Sequence, residues 1–424
     1  MAGEQQTSIV NVRVFDGVAD ALTAPTTVTV TGNLITGVGD HPAEGTVLDG
    51  GGRVLMPGLI DAHWHAMMAA VSLPVLATSD PGYLHLIAAK EAERTLLRGF
   101  TTVRDAGGPV FALKRAVDEG IVAGPRIYPS GAFISQTAGH GDFRSLLELP
   151  REPGAPLSMV ERTGTSVIAD GVDAVLRATR EQLMRGASQI KVMAGGGVAS
   201  SYDPIDVTQY TFAELAAAVE AAGHWGTYVM VHAYTPASVR QAVRAGVRCV
   251  EHGHLLDDET AALLAERDVW WSLQPFLDDE DAIPIPTPEG RAKQRLITDG
   301  TEAAYALARK HGVRLAWGTD TLFDARLAGR QGAQLAKLAR WFTPAAALRM
   351  ATSENAALLA LSGPRDPYPA PLGVVRPGAY ADLLLVDGDP LADLAVLADP
   401  ANLAVIMKDG ALVRNTLATP GSGG

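Results

Sequence analysis

The residues with the clearest chemical potential are two histidines two positions apart, His63 and His65, at the end of the apolar run that begins at Val54. Residues two apart on a strand point to the same side. The pair therefore presents two imidazoles to one point, with Trp64 turned away, and neutral imidazole is a common ligand for zinc and related ions. A pair of core histidines is the alternative, and residues further along bear on the choice. Lys191 lies inside the apolar run Ile190–Ala194, His232 follows Tyr228–Val231, His252 follows Cys249-Val250-Glu251, and Asp320 ends Trp317-Gly318-Thr319-Asp320. Four imidazoles, one carboxylate and one lysine suit two divalent ions with a shared bridge. The lysine fits only as a neutral amine, and burial and nearby positive charge both depress a lysine pKa. A neutral amine can add carbon dioxide to give a carbamate, an anionic ligand with two oxygens. A buried lysine paired with an acid is the plainer alternative.

These six positions share a context, short apolar runs that read as strands. Eight strand-like runs follow residue 58, at 59–65, 101–107, 126–134, 189–194, 228–234, 249–256, 270–276 and 314–321. Helical periodicity lies between most of them, as in Leu84–Gly99, Val172–Gly186, Phe212–Ala222, Pro236–Ala245, Asp258–Arg267 and Arg291–His311. Apolar strands alternating with amphipathic helices mean parallel strands covered by helices. Eight units over about 300 residues fit a (β/α)8 barrel, whose sites lie at the carboxyl ends of the strands. An open doubly wound sheet would need a Gly-rich phosphate loop after its first strand, and none is present. Long connections at 135–171 and 195–211 fall where barrel enzymes build pockets.

Residues 1–57 alternate short β-branched runs with glycine turns, and 366–418 return to that texture. The two ends are expected to pair as one small β-sandwich beside a barrel spanning 58–365, with 419–424 a disordered tail. The formal net charge of −12, without a Lys/Arg cluster, argues against nucleic acid and anionic membrane surfaces as partners. No apolar run approaches the ~20 residues that span a bilayer. Cys249 is the only cysteine, so an internal disulfide and a thiolate cluster are both excluded. Met1–Val10 shows no signal-peptide pattern, which fits a cytoplasmic protein or one whose secretion signal has been trimmed.

The motifs "PGLIDAHWH", "TTVRDAGG", "IKVMAGGG", "VHAY", "EHG" and "GTD", with "ADLLLVDGDPL" in the returning β-region, resemble the amidohydrolase superfamily over nearly the whole chain. Within it the sequence is similar to the imidazolonepropionase-like and Xaa-Pro/Xaa-Arg dipeptidase-like branch, especially to bacterial amidohydrolases that cleave ochratoxin A. The resemblance implies two divalent metal ions, zinc foremost. His63, His65 and Asp320 would hold the more buried ion, and His232 and His252 the more exposed one. Lys191, carboxylated on its Nζ (N6-carboxylysine), would bridge them. Asp320 would take the proton of the attacking water and deliver it to the leaving amine. The implied substrates are small molecules: N-acyl amino acids or dipeptides with a free carboxylate, ochratoxin A among them. A cyclic-amide hydrolase or a deaminase is the alternative on the same scaffold, and a non-catalytic barrel used for assembly is the remote one. Similar proteins form homo-oligomers, often octamers.

His140, Gly-flanked in the long third loop, and Tyr234, at strand spacing from His232, are the candidate grip on a substrate carboxylate. His254 repeats that spacing from His252 and is a supporting residue rather than a ligand. Arg104 and Asp105 are expected to form a structural ion pair below the site. Trp270–Phe276 and Tyr202–Phe212 are expected to line an apolar pocket. His41, His85, His224 and His311 lie away from strand ends and carry no expected role, and Cys249 is expected in the core.

Overall fold

The computed structural model describes residues 5–151 and 154–417. The glycine-punctuated N-terminal runs form β1 (Gln6–Val14), β2 (Thr26–Thr31), β3 (Leu34–Gly39), β4 (Thr46–Asp49) and β5 (Val54–Pro57). Ten parallel strands follow. They are β6 (Leu59–Trp64), β7 (Phe100–Asp105), β8 (Arg126–Pro129), β9 (Phe133–Ser135), β10 (Ser166–Ile168), β11 (Ile190–Met193), β12 (Val229–Ala233), β13 (Cys249–His252), β14 (Trp270–Leu273) and β15 (Leu315–Trp317). They pair as two ladders, β6-β7-β8 and β10-β9-β11-β12-β13-β14-β15.

Side chains join the ladders into the expected barrel. At one seam Asn355 accepts from Trp317 N at 3.1 Å and donates to Ile60 O at 2.7 Å and Trp317 O at 2.8 Å. Asp320 N donates to His63 O at 2.8 Å on the same seam. Asp61 reinforces it, accepting from Thr319 N at 3.0 Å and Thr319 Oγ1 at 2.6 Å. Gly318 permits this approach, because a Cβ there would lie 2.3 Å from His63 N. The other seam corrects the expectation of an unbroken third strand over 126–134. The strand is interrupted at Gly131, whose φ is 76°, and Gln182 and Gln189 satisfy the freed backbone groups. The expected 135–171 loop also contains β10, which lies parallel to β9.

Helix boundaries follow local signals. Thr211 and Glu214 form a capping box at the start of Phe212–His224. Gly246, left-handed at φ 99°, ends Pro236–Ala245. After the barrel come β16 (Leu383–Val386), β17 (Leu403–Lys408) and β18 (Ala411–Asn415). β16 pairs antiparallel with β5, Leu384 opposite Met56 and Leu385 opposite Leu55. The chain ends thus share one mixed sheet, in the order β18-β17-β16-β5-β1-β2-β3 with β4 beside β1. Alternation in β5 explains its uninterrupted apolarity: Val54 and Met56 join the barrel core, whereas Leu55 joins Ile9, Val28 and Leu385 in the core of the sheet. Among the described residues no helix is long and apolar enough to cross a membrane. The tail 419–424 lies outside the described residues.

Candidate metal centre

Because β6, β11, β12, β13 and β15 run parallel, their carboxyl ends open at one mouth of the barrel. All eight residues singled out from the sequence line one cavity there, of about 670 Å³: His63, His65, His140, Lys191, His232, Tyr234, His252 and Asp320. His63 Nε2 and His65 Nε2 lie 3.3 Å and 3.2 Å from Asp320 Oδ1. His63, His252 and Asp320 bring potential ligand atoms within 4.8 Å of one another. The His232 ring is centred 4.6 Å from that of His252, and Lys191 is 1% exposed beside them. His252 and Asp320 reach inward from left-handed backbone, φ 77° and 47°. Non-glycine residues in that region are uncommon and concentrate at functional sites.

Hydrogen bonds around the histidines decide which ring nitrogens face the centre. His65 Nδ1 lies 3.1 Å from Gly107 O, and a carbonyl can only accept, so Nδ1–H donates and the Nε2 lone pair faces inward. His63 Nδ1 donates to Glu251 Oε2 at 2.7 Å, with the same result. His252 Nδ1 is held by Gln274 Oε1 at 2.8 Å. His232 is reversed: its Nε2 donates to Gly196 O at 3.1 Å, leaving Nδ1 for the centre. Two imidazole lone pairs pointed at one carboxylate oxygen repel unless a cation lies among them. Their 3.2–3.3 Å separations approach the ~3.4 Å edge of a tetrahedron whose corners stand ~2.1 Å from a central ion. The donor set fits a metal.

Electrostatics agree. Burial pushes His63 down to about 4 and His232 and His252 well below the usual histidine value, keeping the imidazoles neutral. Burial also lowers the Lys191 ammonium pKa. Burial alone would raise Asp320, but His63 and His65 outweigh it and hold the carboxyl at about 2. Neutral imidazole and ionised carboxylate are the states that metal binding requires. A pH dependence follows for metal-stripped protein. As pH falls from 6.5 towards about 4, the unfolded chain protonates its histidines while native His63 resists. The unfolded state then binds more protons, so stability falls across that window. Asp320 adds a further loss between 3.8 and about 2. The urea midpoint should be lower at about pH 5 than at about pH 7; equal midpoints would contradict this electrostatic account.

Several supporting residues had no assigned role in the sequence. Glu251 binds His63 through one oxygen and Arg104 Nη2, at 2.7 Å, through the other. The expected Arg104–Asp105 ion pair is therefore incorrect. Adjacent strand residues face opposite ways: Arg104 enters the barrel interior, and Asp105 instead accepts from Ala66 N and Gly107 N. The only signal for Glu251 was a carboxylate inside an apolar strand, two residues from Cys249. Cys249 is buried, as expected, and donates to Glu251 at 3.0 Å. His254 lies outside the cavity lining, with its Nε2 3.0 Å from Gln274 O. Of the two aromatic segments, Phe276 reaches the cavity, while Trp271 is buried and donates to His252 O at 2.6 Å. Tyr202–Phe212 does not line the cavity: Tyr202 and Phe212 point to solvent, and Tyr210 donates to Ala169 O. His140 stacks on His232 at 4.0 Å between ring centres, with its Nδ1 2.7 Å from Ser200 Oγ. Tyr234 lies 5.0 Å from both His232 and His252 by ring centres. His41, His85, His224 and His311 are absent from the lining.

The sequence pattern of the amidohydrolase family matches residues 54–413. Ochratoxinase of Aspergillus niger is 34% identical over 374 residues, covering 85% of this chain and 76% of that protein. Among solved structures, an amidohydrolase superposes with a TM-score of 0.89 at 38% identity, covering 98% of this chain and all of the other. A prolidase complexed with N-methylphosphonate-L-proline gives 0.87 at 36% identity, covering 97% of this chain and all of that one. With a barrel, a mixed end-to-end sheet and a buried His/His/Asp cluster at the strand ends, the chain belongs to the amidohydrolase family and is a hydrolase.

Proposed function

We propose that the protein is a binuclear metal-dependent amidohydrolase that cleaves the amide bond of N-acyl amino acids or dipeptides with a free carboxylate, ochratoxin A among them. The observation that carries the reading is Lys191. It is fully buried, its pKa is lowered by burial, and it lies among the neutral imidazoles of His63, His232 and His252 and the carboxylate of Asp320. A lysine in that position serves best as a carbamate bridging two sites. His63, His65 and Asp320 would hold one ion, His232 and His252 the other, and carboxylated Lys191 both. Bound there, two divalent ions, zinc on this nitrogen and oxygen donor set, supply polarisation of the amide carbonyl and a water acidified towards pKa ~7.

The protein's own groups do the rest. Asp320, ionised and in reach of both His63 and His65, takes the proton of the attacking water and returns it to the leaving amine. His140 and Tyr234, on the cavity wall beside His232, contact the substrate. The apolar lining, with Met68, Phe133, Leu322 and Phe323, excludes water around the acyl group. The relatives support the substrate class: one is named for ochratoxin, and the other binds a proline carrying a phosphonate on nitrogen. Assembly as a homo-oligomer belongs to the same reading.

The test is release of free phenylalanine from ochratoxin A, with dipeptides ending in Pro, Arg, Lys and Phe alongside, before and after chelation. Chelator-sensitive release is expected from at least one of them. Silence on the whole panel from protein that holds two metal ions would overturn the reading and direct attention to cyclic amides and deamination.

A further inference from the structure

Besides Lys191 at the centre, among the described residues two lysines line the cavity and no arginine does. Lys337 is neutralised, with Asp279 at 2.7 Å and Asp281 at 2.8 Å. Lys293, on the helix Pro288–His311, is different. It is 8% exposed, and its Nζ donates to two backbone carbonyls, Asp203 O at 2.8 Å and Ser200 O at 3.3 Å. Among the described residues no carboxylate lies within 4.0 Å of it. Glu289, one turn earlier on the same helix, is solvent-exposed and beyond that distance. An ammonium has three donors and a full charge, and a buried charge is costly unless an anion pairs with it. Lys293 therefore has one donor and its charge uncommitted, on the wall of a cavity.

The position of that charge gives the cavity a direction. Ser200, whose carbonyl Lys293 holds, bonds His140 through its hydroxyl, and His140 stacks on His232. Beside the centre, Phe133 meets His65 edge-on at 5.8 Å between ring centres. Phe133 there clusters with Met68 and Met193, against which Leu322 and Phe323 pack. The flank beside His232 thus carries Lys293, Ser200, His140 and the buried Asp203 carboxylate, 3.4 Å from His140 Nδ1, whereas the cluster beside His65 is apolar.

We propose that Lys293 is the cationic anchor for the carboxylate of the departing amino acid. The substrate then lies with its carboxylate on the His232 flank and its acyl group on the Phe133–Phe323 flank. The anchor rests on the function proposed above and adds a full positive charge to the carboxylate grip expected of His140 and Tyr234. It also fixes the acyl preference: bulky and apolar rather than charged.

Lys293 also tethers the 200–203 segment, so the test must separate recognition from support. It compares N-benzoyl-L-phenylalanine with its carboxamide, in the metal-loaded wild-type protein and in Lys293→Gln and Lys293→Arg. Expected is a fall of about 10- to 100-fold in kcat/KM for the acid in Lys293→Gln, carried mainly by KM, as one charge-assisted hydrogen bond is lost. The carboxamide should lose much less than the acid in that variant, so the acid-to-carboxamide ratio falls, and Lys293→Arg should recover most of the preference for the acid. An equal loss on acid and carboxamide, or no loss on either, would overturn the anchor. Calorimetric binding of L-phenylalanine against L-phenylalaninamide gives an arm that needs no turnover. Wild-type preference for the acid that disappears in Lys293→Gln supports the anchor even if no amide is cleaved, in which case the proposed reaction fails alone. Turnover with an undiminished acid preference in Lys293→Gln removes the anchor and leaves the reaction standing.

Discussion

Lys191→Ala should lose bound metal and amide hydrolysis together, with kcat/KM falling by at least about a thousandfold, since a metal centre supplies several kcal/mol of transition-state stabilisation. The side chain is 1% exposed and surrounded by His63, His232, His252 and Asp320, so removing it leaves a small polar void and few other changes. The informative step is rescue. If the lysine serves as a carbamate, a short carboxylic acid entering the void restores the missing anion, and part of the metal content and rate returns with it. If instead it serves as an ammonium paired with Glu251 or Asp320, short alkylamines rescue and carboxylic acids do not. Metal analysis and initial rates, with and without each additive, decide between them. Full activity in Lys191→Ala would end the two-ion reading.

Glu251→Gln should produce the largest loss of stability. Glu251 is completely buried, and it bonds His63 and Arg104 at 2.7 Å each, while Arg104 is itself fully buried. Burial opposes charge on this carboxyl, but Arg104 and His63 outweigh it and hold it well below the usual range. Neutralising it strands a guanidinium inside the barrel, and breaking a buried pair in this way costs about 3–5 kcal/mol. The same change removes the acceptor that fixes the His63 ring, and loss of such a partner weakens metal binding by about 10- to 100-fold. Urea unfolding of metal-stripped protein measures the first effect and metal titration the second. Replacing Arg104 with methionine as well should recover part of the stability but none of the metal affinity, because only the stranded charge is relieved. Unchanged stability in Glu251→Gln would mean that Arg104 finds another partner.

Some of this architecture is written locally. Strand alternation places His63 and His65 on one side, and short apolar runs put Lys191 within a strand and His232, His252 and Asp320 at or just past strand ends. Repetition of the strand–helix unit implies parallel strands and hence a common mouth. Matching β texture at the two ends of the chain implies the β5–β16 pairing, since exposed strand edges find partners. These inferences need only the period of the side chains and the rule that parallel strands share a direction.

The remainder depends on contacts between residues far apart in sequence. Arg104 faces Glu251 across 147 positions and not its neighbour Asp105, because the strand pleat separates adjacent residues and barrel closure brings distant ones together. The break at Gly131 and the bridging by Asn355 arise where curvature separates backbone groups that still need hydrogen bonds. Lys293 is one charged residue among many on a 24-residue helix. Local periodicity reveals which face of that helix is apolar, but only the packed structure decides that Lys293 lies against the cavity with no carboxylate within 4.0 Å of it among the described residues. Sequence thus determined the strand-end positions of the chemically able residues, through rules of period and direction. Tertiary structure decided their partners and the polarity of the cavity, because those follow from barrel closure and helix placement over distances that no local rule spans.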